Sequence, residues 1–183
     1  MLSSEDNELL CRVGRGTLMG EFCRRFWTPF MLCEELPEPD CPPVRTRLYG
    51  EDLVAFRDST GQVGIVAENC PHRGASLFFG RNEEAGLRCV YHGWKFSADG
   101  TCVDMPNEPP ESNFKHKVRV TAYPAREAGG FIWTYMGPTE RRPDELPHME
   151  WMDVSPTQRS TAKLMYESNF VQSIEGEIDT VHA

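Results

Sequence analysis

The chain has 183 residues, enough for one well-cored domain and part of a second. Its 28 acidic against 19 basic residues give a formal charge of −9, which argues against a nucleic-acid backbone as the partner. No segment approaches membrane-spanning length and residues 1–30 hold no apolar signal core, so the sequence reads as that of a cytoplasmic protein whose seven cysteines serve metal rather than disulfides.

Ser3 and Ser4 ahead of Glu5, Asp6 and Glu8 predict a helix start, with a hydroxyl to accept a free amide and acids at the positive end. Gly14 and Gly16 predict its stop, so residues 1–25 form an N-terminal helical segment. Residues 26–140 show β-patterned runs at 45–49, 52–57, 64–67, 117–122 and 130–135. Tyr49-Gly50-Glu51-Asp52, Asp58-Ser59-Thr60-Gly61 and Ser97-Ala98-Asp99-Gly100 supply turn chemistry between such runs, which predicts a mainly β, antiparallel domain.

The Pro-rich, charged stretch 138–147 reads as a linker. Beyond it, residues 157–166 read as a strand, and 169–182 as a helix with Phe170, Ile174, Ile178 and Val181 along one stripe. Residues 141–183 therefore comprise the linker and the start of an α+β unit that the chain does not complete.

The chemistry is concentrated in Cys70-Pro71-His72 and, sixteen residues later, Cys89-Val90-Tyr91-His92. Each short loop offers one thiolate and one imidazole, a donor set that suits a 2Fe-2S cluster with two cysteines on one iron and two histidines on the other. A structural zinc site is the alternative, although zinc loops usually pair Cys with Cys and His with His. Arg73-Gly74 and Gly93-Trp94 favour the cluster, since glycines allow close backbone approach and an aromatic can cover it.

Cys-Pro-His-Arg-Gly followed by Cys-x-Tyr-His-Gly-Trp-x-Phe, within residues 69–96, resembles the Rieske domain of the ring-hydroxylating non-haem iron oxygenases. Residues 14–20 and 25–29 are most similar to the phthalate and phenoxybenzoate dioxygenase oxygenase subunits. The resemblance implies an antiparallel Rieske 2Fe-2S domain followed by the truncated start of an α+β catalytic domain, with Cys70, His72, Cys89 and His92 as cluster ligands. Respiratory Rieske proteins carry an extra cysteine in each ligand loop; here Ala75 and Val90 stand in those places, which implies an oxygenase-type cluster of lower potential.

The tail Asp179-Thr180-Val181-His182 resembles the opening of that family's iron-binding helix. Spacings of four and three place Glu175, Asp179 and His182 on one helical face. The resemblance makes His182 the first ligand of a mononuclear non-haem Fe(II) and Asp179 the acid that bridges to a cluster histidine of a neighbouring subunit. An ordinary amphipathic helix with a solvated acidic side is the plainer reading of the tail.

The second histidine and the carboxylate of the iron triad are missing, so this chain is expected to be inactive in catalysis and to be the N-terminal part of a longer oxygenase subunit. The resemblance also implies a flavin and iron–sulfur reductase or a ferredoxin as electron donor, an aromatic small-molecule substrate, with a carboxylate favoured, and a trimer-type homo-oligomer. A stand-alone Rieske ferredoxin is the competing function, and a zinc-stabilised interaction domain the third.

Cys11, Cys23, Cys33, Cys41 and Cys102 lie outside the paired loops and read as small apolar side chains, and His116 and His148 as solvent-facing. Arg73, Arg81, Arg88 and Lys95 place positive charge around the ligand loops, either as a docking patch for a donor or as a scattered solvated surface.

Overall fold

In the computed structural model, which describes residues 3–179 and 181, Ser3 caps α1 (Ser4–Cys11) by accepting the Asp6 amide at 3.0 Å. Thr17 caps α2 (Leu18–Cys23) by accepting the Gly20 amide at 3.2 Å. At six residues, α2 is too short to leave a periodic signature, and the sequence pattern does not reveal it.

The strands are β1 (Thr28–Leu32), β2 (Val44–Leu48), β3 (Glu51–Arg57), β4 (Val63–Ala67), β5 (Arg81–Glu83), β6 (Gly86–Arg88), β7 (Lys95–Phe96), β8 (Cys102–Asp104), β9 (Ala122–Tyr123), β10 (Ala125–Ala128) and β11 (Phe131–Thr134). They form antiparallel sheets ordered β1-β11-β10, β2-β3-β4-β9 and β5-β6-β7-β8, so the fold is mainly antiparallel β.

The middle sheet is buried on both sides because successive side chains of β3 point in opposite directions. Leu53 and Ala55 enter a core with Met31, Ile65 and Ile132, while Val54 and Phe56 enter a second core with Val66, Leu87, Phe96, Cys70 and Cys89. Burial of each large side chain contributes roughly 1.5–3 kcal/mol, and the second core is the floor on which both ligand loops stand. β2 and β3 are joined through Tyr49 and Gly50, both at positive φ (48° and 78°), the two-residue turn whose twist matches its strands.

Three expectations need correction. Residues 117–122 are not a continuous strand: the Cys102 amide donates to Val118 O, Val120 N to Gly100 O, and Ala67 N to Thr121 O. The segment crosses from the third sheet to the middle one, leaving an isolated Thr101–Arg119 bridge and the short β9. Residues 157–166 form no strand either. Ser155 caps a 3₁₀ turn at Pro156–Gln158, and the residues after it find no ladder partner among the described residues.

The helix expected over 169–182 is α3 (Phe170–Ile178), capped by Asn169. It stops because Asp179 turns extended and its carboxylate accepts the Val181 amide at 2.9 Å, a local bond that competes with another helical turn. Asp179 therefore does not continue the helical face of Glu175, and His182 lies outside the described residues. The Pro-rich stretch lies against the first sheet: Trp27 Nε1 donates to Pro143 O, and Leu146 packs on Trp27, Trp133 and Tyr135.

Glu51 fastens the helical segment to the middle sheet. Its carboxylate accepts from Arg24 Nη2 at 2.9 Å, from Arg15 and from the Tyr123 hydroxyl, while Arg24, its side chain 4% exposed, also donates to the carbonyls of Val13, Gly20 and Tyr49. Burial alone would raise the Glu51 pKa; the bonds from Tyr123 and Arg24 and the charges of Arg15 and Arg24 outweigh it and hold it below the usual glutamate value. Its stabilisation is thus complete above the ordinary glutamate range and is lost as the pH falls through the lowered folded value. Glu51→Gln leaves a buried guanidinium uncompensated and is expected to cost about 2–3 kcal/mol, read by urea denaturation at neutral pH, with the gap to wild type narrowing in acid.

Candidate metal centre

The first ligand loop joins β4 to a 3₁₀ turn at Leu77–Phe79, and the second joins β6 to β7. The two are closed alike. In the first, the Cys70 amide donates to Ala75 O and Gly74 N to Cys70 O, both at 2.9 Å; in the second, Cys89 N donates to Trp94 O at 2.8 Å and Gly93 N to Cys89 O at 3.0 Å. Each loop has a cysteine at its first position and a glycine at its fifth, with φ of 71° at Gly74 and 76° at Gly93. A left-handed fifth residue lets the chain turn back on its own cysteine, which is why glycine occupies it.

This twin closure turns both thiols inward and both imidazoles outward. Cys70 and Cys89 are 2% and 3% exposed and share the core beneath the loops. His72 and His92 stand at the rim with ring centroids 4.5 Å apart. Trp94 lies flat on His72, centroids 4.3 Å apart and planes 9° from parallel, and Tyr91 leans over His92 at 3.9 Å. Together with Arg73 and Ala75 these side chains line a small recess. Asn107 Nδ2 donates to His92 O at 3.1 Å and steadies the second loop from outside.

The recess passes a test for a metal group. His72 Nδ1 is buried there with no hydrogen-bond partner, a costly arrangement for a ring nitrogen unless an ion takes its lone pair. Burial, then the neighbouring His92 and Arg73, lower the His72 pKa, which keeps the imidazole neutral and able to ligate. Burial raises the Cys70 thiol to about 11, with Cys89 and Cys102 adding to the rise against the lowering effect of the His72 amide, so a bound metal must displace its proton. Among the described residues no three His, Cys, Asp or Glu side chains converge as ligands of one ion would. The donors stand as a thiol pair and an imidazole pair, a set that suits a 2Fe-2S cluster.

All four residues of the paired loops thus come together. Asp179 is at the end of α3, which lies against α1. The remaining cysteines are free thiols, with Cys102 buried in the core under Cys70, and His116 is exposed while His148 pairs with Asp153 on the surface. Arg88 and Lys95 are neither a docking patch nor solvated: their side chains are largely buried and paired with Glu83, Asp104 and Glu84. Asn107 and the Glu83–Arg88–Asp104 set escape the sequence reading because their partners come from separate strands and loops.

The two loop glycines differ in their surroundings. A Cβ at Gly74 meets no atom within 4 Å, whereas one at Gly93 would sit 2.8 Å from Pro106 Cγ. Gly74→Ala is expected to cost about 1–2 kcal/mol from backbone strain alone, and Gly93→Ala clearly more, compared by urea unfolding of the two variants.

Residues 26–124 match the family model "Rieske [2Fe-2S] domain". The chain is 51% identical to the phthalate 4,5-dioxygenase oxygenase subunit of Pseudomonas putida and 52% identical to the 3-chlorobenzoate-3,4-dioxygenase oxygenase subunit of Comamonas testosteroni. Each match takes in 100% of this chain but 42% of the relative, so the chain spans about two fifths of their length. A crystal structure of dicamba monooxygenase with non-haem iron and dicamba superposes on 68% of this chain and 36% of its own, with a TM-score of 0.60 and 28% identity. No helix among the described residues is long and apolar enough to cross a membrane. With the twin ligand loops and a family match over more than half of its 183 residues, the chain belongs to the Rieske [2Fe-2S] domain family.

Proposed function

We propose that Cys70, His72, Cys89 and His92 hold a 2Fe-2S cluster, with the cysteines on one iron and the histidines on the other, and that the chain relays electrons as the Rieske portion of an oxygenase subunit. The observation that carries the assignment is the buried, partnerless Nδ1 of His72 in a recess that His72 lines together with Cys70, Cys89 and His92. Such a cluster takes up and passes on one electron at a time, at a potential raised by its neutral histidine ligands.

The chain's own residues do the rest. The core under Cys70 and Cys89 keeps water from the thiolate side, Trp94 fixes the plane of His72, and Asn107 holds the backbone of His92. The histidine rim, with Val90 and Tyr91 exposed beside it, is the side on which an electron enters or leaves.

The relatives are named oxygenase subunits, and this supports an O2-dependent oxidation of an aromatic, carboxylate-bearing substrate by the longer protein. In that reading a reductase or ferredoxin supplies the electrons, the protein is a trimer-type homo-oligomer, and residues 141–183 begin a catalytic domain whose mononuclear Fe(II) takes His182 as a ligand and Asp179 as the bridging acid. Leu164, Met165, Tyr166 and Ile178 are exposed, apolar surface of the kind a further domain covers. A stand-alone ferredoxin has no use for such a tail.

Anaerobic reconstitution of the purified chain with iron and sulfide tests the assignment. Visible absorbance and a reduced-state paramagnetic resonance signal with a low average g-value are expected, the signal altered in His72→Cys and cluster loading lost in Cys89→Ser. A colourless protein that takes up zinc instead would contradict it.

A further inference from the structure

Arg88 ends β6 next to Cys89, and its side chain is 13% exposed. Nε donates to Glu83, while Nη1 donates to Asp104 at 2.7 Å and to the carbonyl of Gly93, also at 2.7 Å. That carbonyl lies between His92 and Trp94 in the second ligand loop. The sheet register sets Arg88 opposite Arg81 on one side and Lys95 on the other, with Asp104 opposite Lys95. Lys95, 9% exposed, donates to the Glu84 carboxylate at 3.0 Å and to the Glu84 carbonyl at 3.3 Å.

Three cations in one cross-strand row repel each other, so the row holds only because Glu83, Glu84 and Asp104 stand among them. The hairpin that brings the acids there turns through Glu84 and Ala85, both non-glycine residues at positive φ (47° and 59°), at a conformational cost. The fold thus maintains strain and buried charge at the strand ends that carry the second loop, although backbone bonds already close that loop. The acids are more exposed than the cations, Asp104 at 43% and Glu84 at 77%, which limits what these pairs add to stability.

We propose that Arg88 is a positioning residue for the cluster: it fixes the Gly93 carbonyl, and so the His92 segment, and it balances Glu83 and Asp104 to set the field in which the cluster gains its electron. This rests on the ligand assignment proposed above. The signs follow from charge. Reduction adds negative charge to the site; loss of the Arg88 cation leaves two carboxylates uncompensated and opposes it, while loss of the Asp104 charge leaves the cation in excess and favours it.

The reconstituted 183-residue chain, titrated potentiometrically with paramagnetic resonance detection, reads these shifts. The midpoint is expected to move negative in Arg88→Gln, to move positive in Asp104→Asn, and to stay nearer wild type in Arg88→Lys than in Arg88→Gln. Shifts of one sign in Arg88→Gln and Asp104→Asn, or no shift, would overturn the proposal and leave Arg88 a structural residue. If Arg88→Gln assembles no cluster, Asp104→Asn decides alone: a positive shift supports the proposal, and an unchanged or negative midpoint removes it. A wild-type chain that assembles no cluster removes the ligand assignment and this proposal with it; unmoved potentials in a cluster-bearing chain remove this proposal only.

Discussion

The site depends on how each ligand loop is tied to its own first residue. A cysteine amide reaches a carbonyl five positions on, a left-handed glycine amide returns to the cysteine carbonyl, and the cysteine side chain is left pointing into the core. Because both loops use this closure, two thiols are buried side by side and two imidazoles are left at the surface, at the second position after the cysteine in one loop and at the third in the other. That asymmetry of burial leaves the thiol end of the site dry and the imidazole end at the surface.

The rest of the fold keeps these loops in register. The middle sheet is buried on both faces, so a slip of one residue in β3 would exchange the row of Leu53 and Ala55 with the row of Val54 and Phe56 and mispack both cores at once. Glu51, Arg24 and Tyr123 then pin the helical N-terminal segment to one end of that sheet, and Trp27 holds the Pro-rich stretch to the first sheet.

How much of this is legible in the sequence differs by element. Strands β2, β3, β4 and β11 lie within one residue of where alternation and turn chemistry predict them, because each carries a run of apolar or β-branched residues bounded by Gly, Asp or Asn. The pairing of one cysteine with one histidine in each loop is legible from spacing, whereas the reading of the four as cluster rather than zinc ligands rests on the flanking Arg73-Gly74 and Gly93-Trp94 and on the family resemblance. Strands β5 to β8 are not legible, being two or three residues long and rich in charge, since Arg81, Arg88 and Lys95 make a row neutralised by Glu83 of β5, Glu84 of the turn after it and Asp104 of β8. Residues 157–166 look β-like by pattern but find no neighbour to pair with, and Asp179 ends α3 through a side-chain bond that periodicity cannot foresee.

The central claim is that two irons share this site in unlike ligand environments. A Mössbauer spectrum of the chain reconstituted with iron-57 and sulfide tests it most directly. Two quadrupole doublets of equal area in the oxidised protein, one of which becomes ferrous on reduction by a single electron, are the predicted result. One doublet from equivalent irons, or a spectrum of mononuclear iron without sulfide, would contradict the assignment of Cys70 and Cys89 to one iron and His72 and His92 to the other.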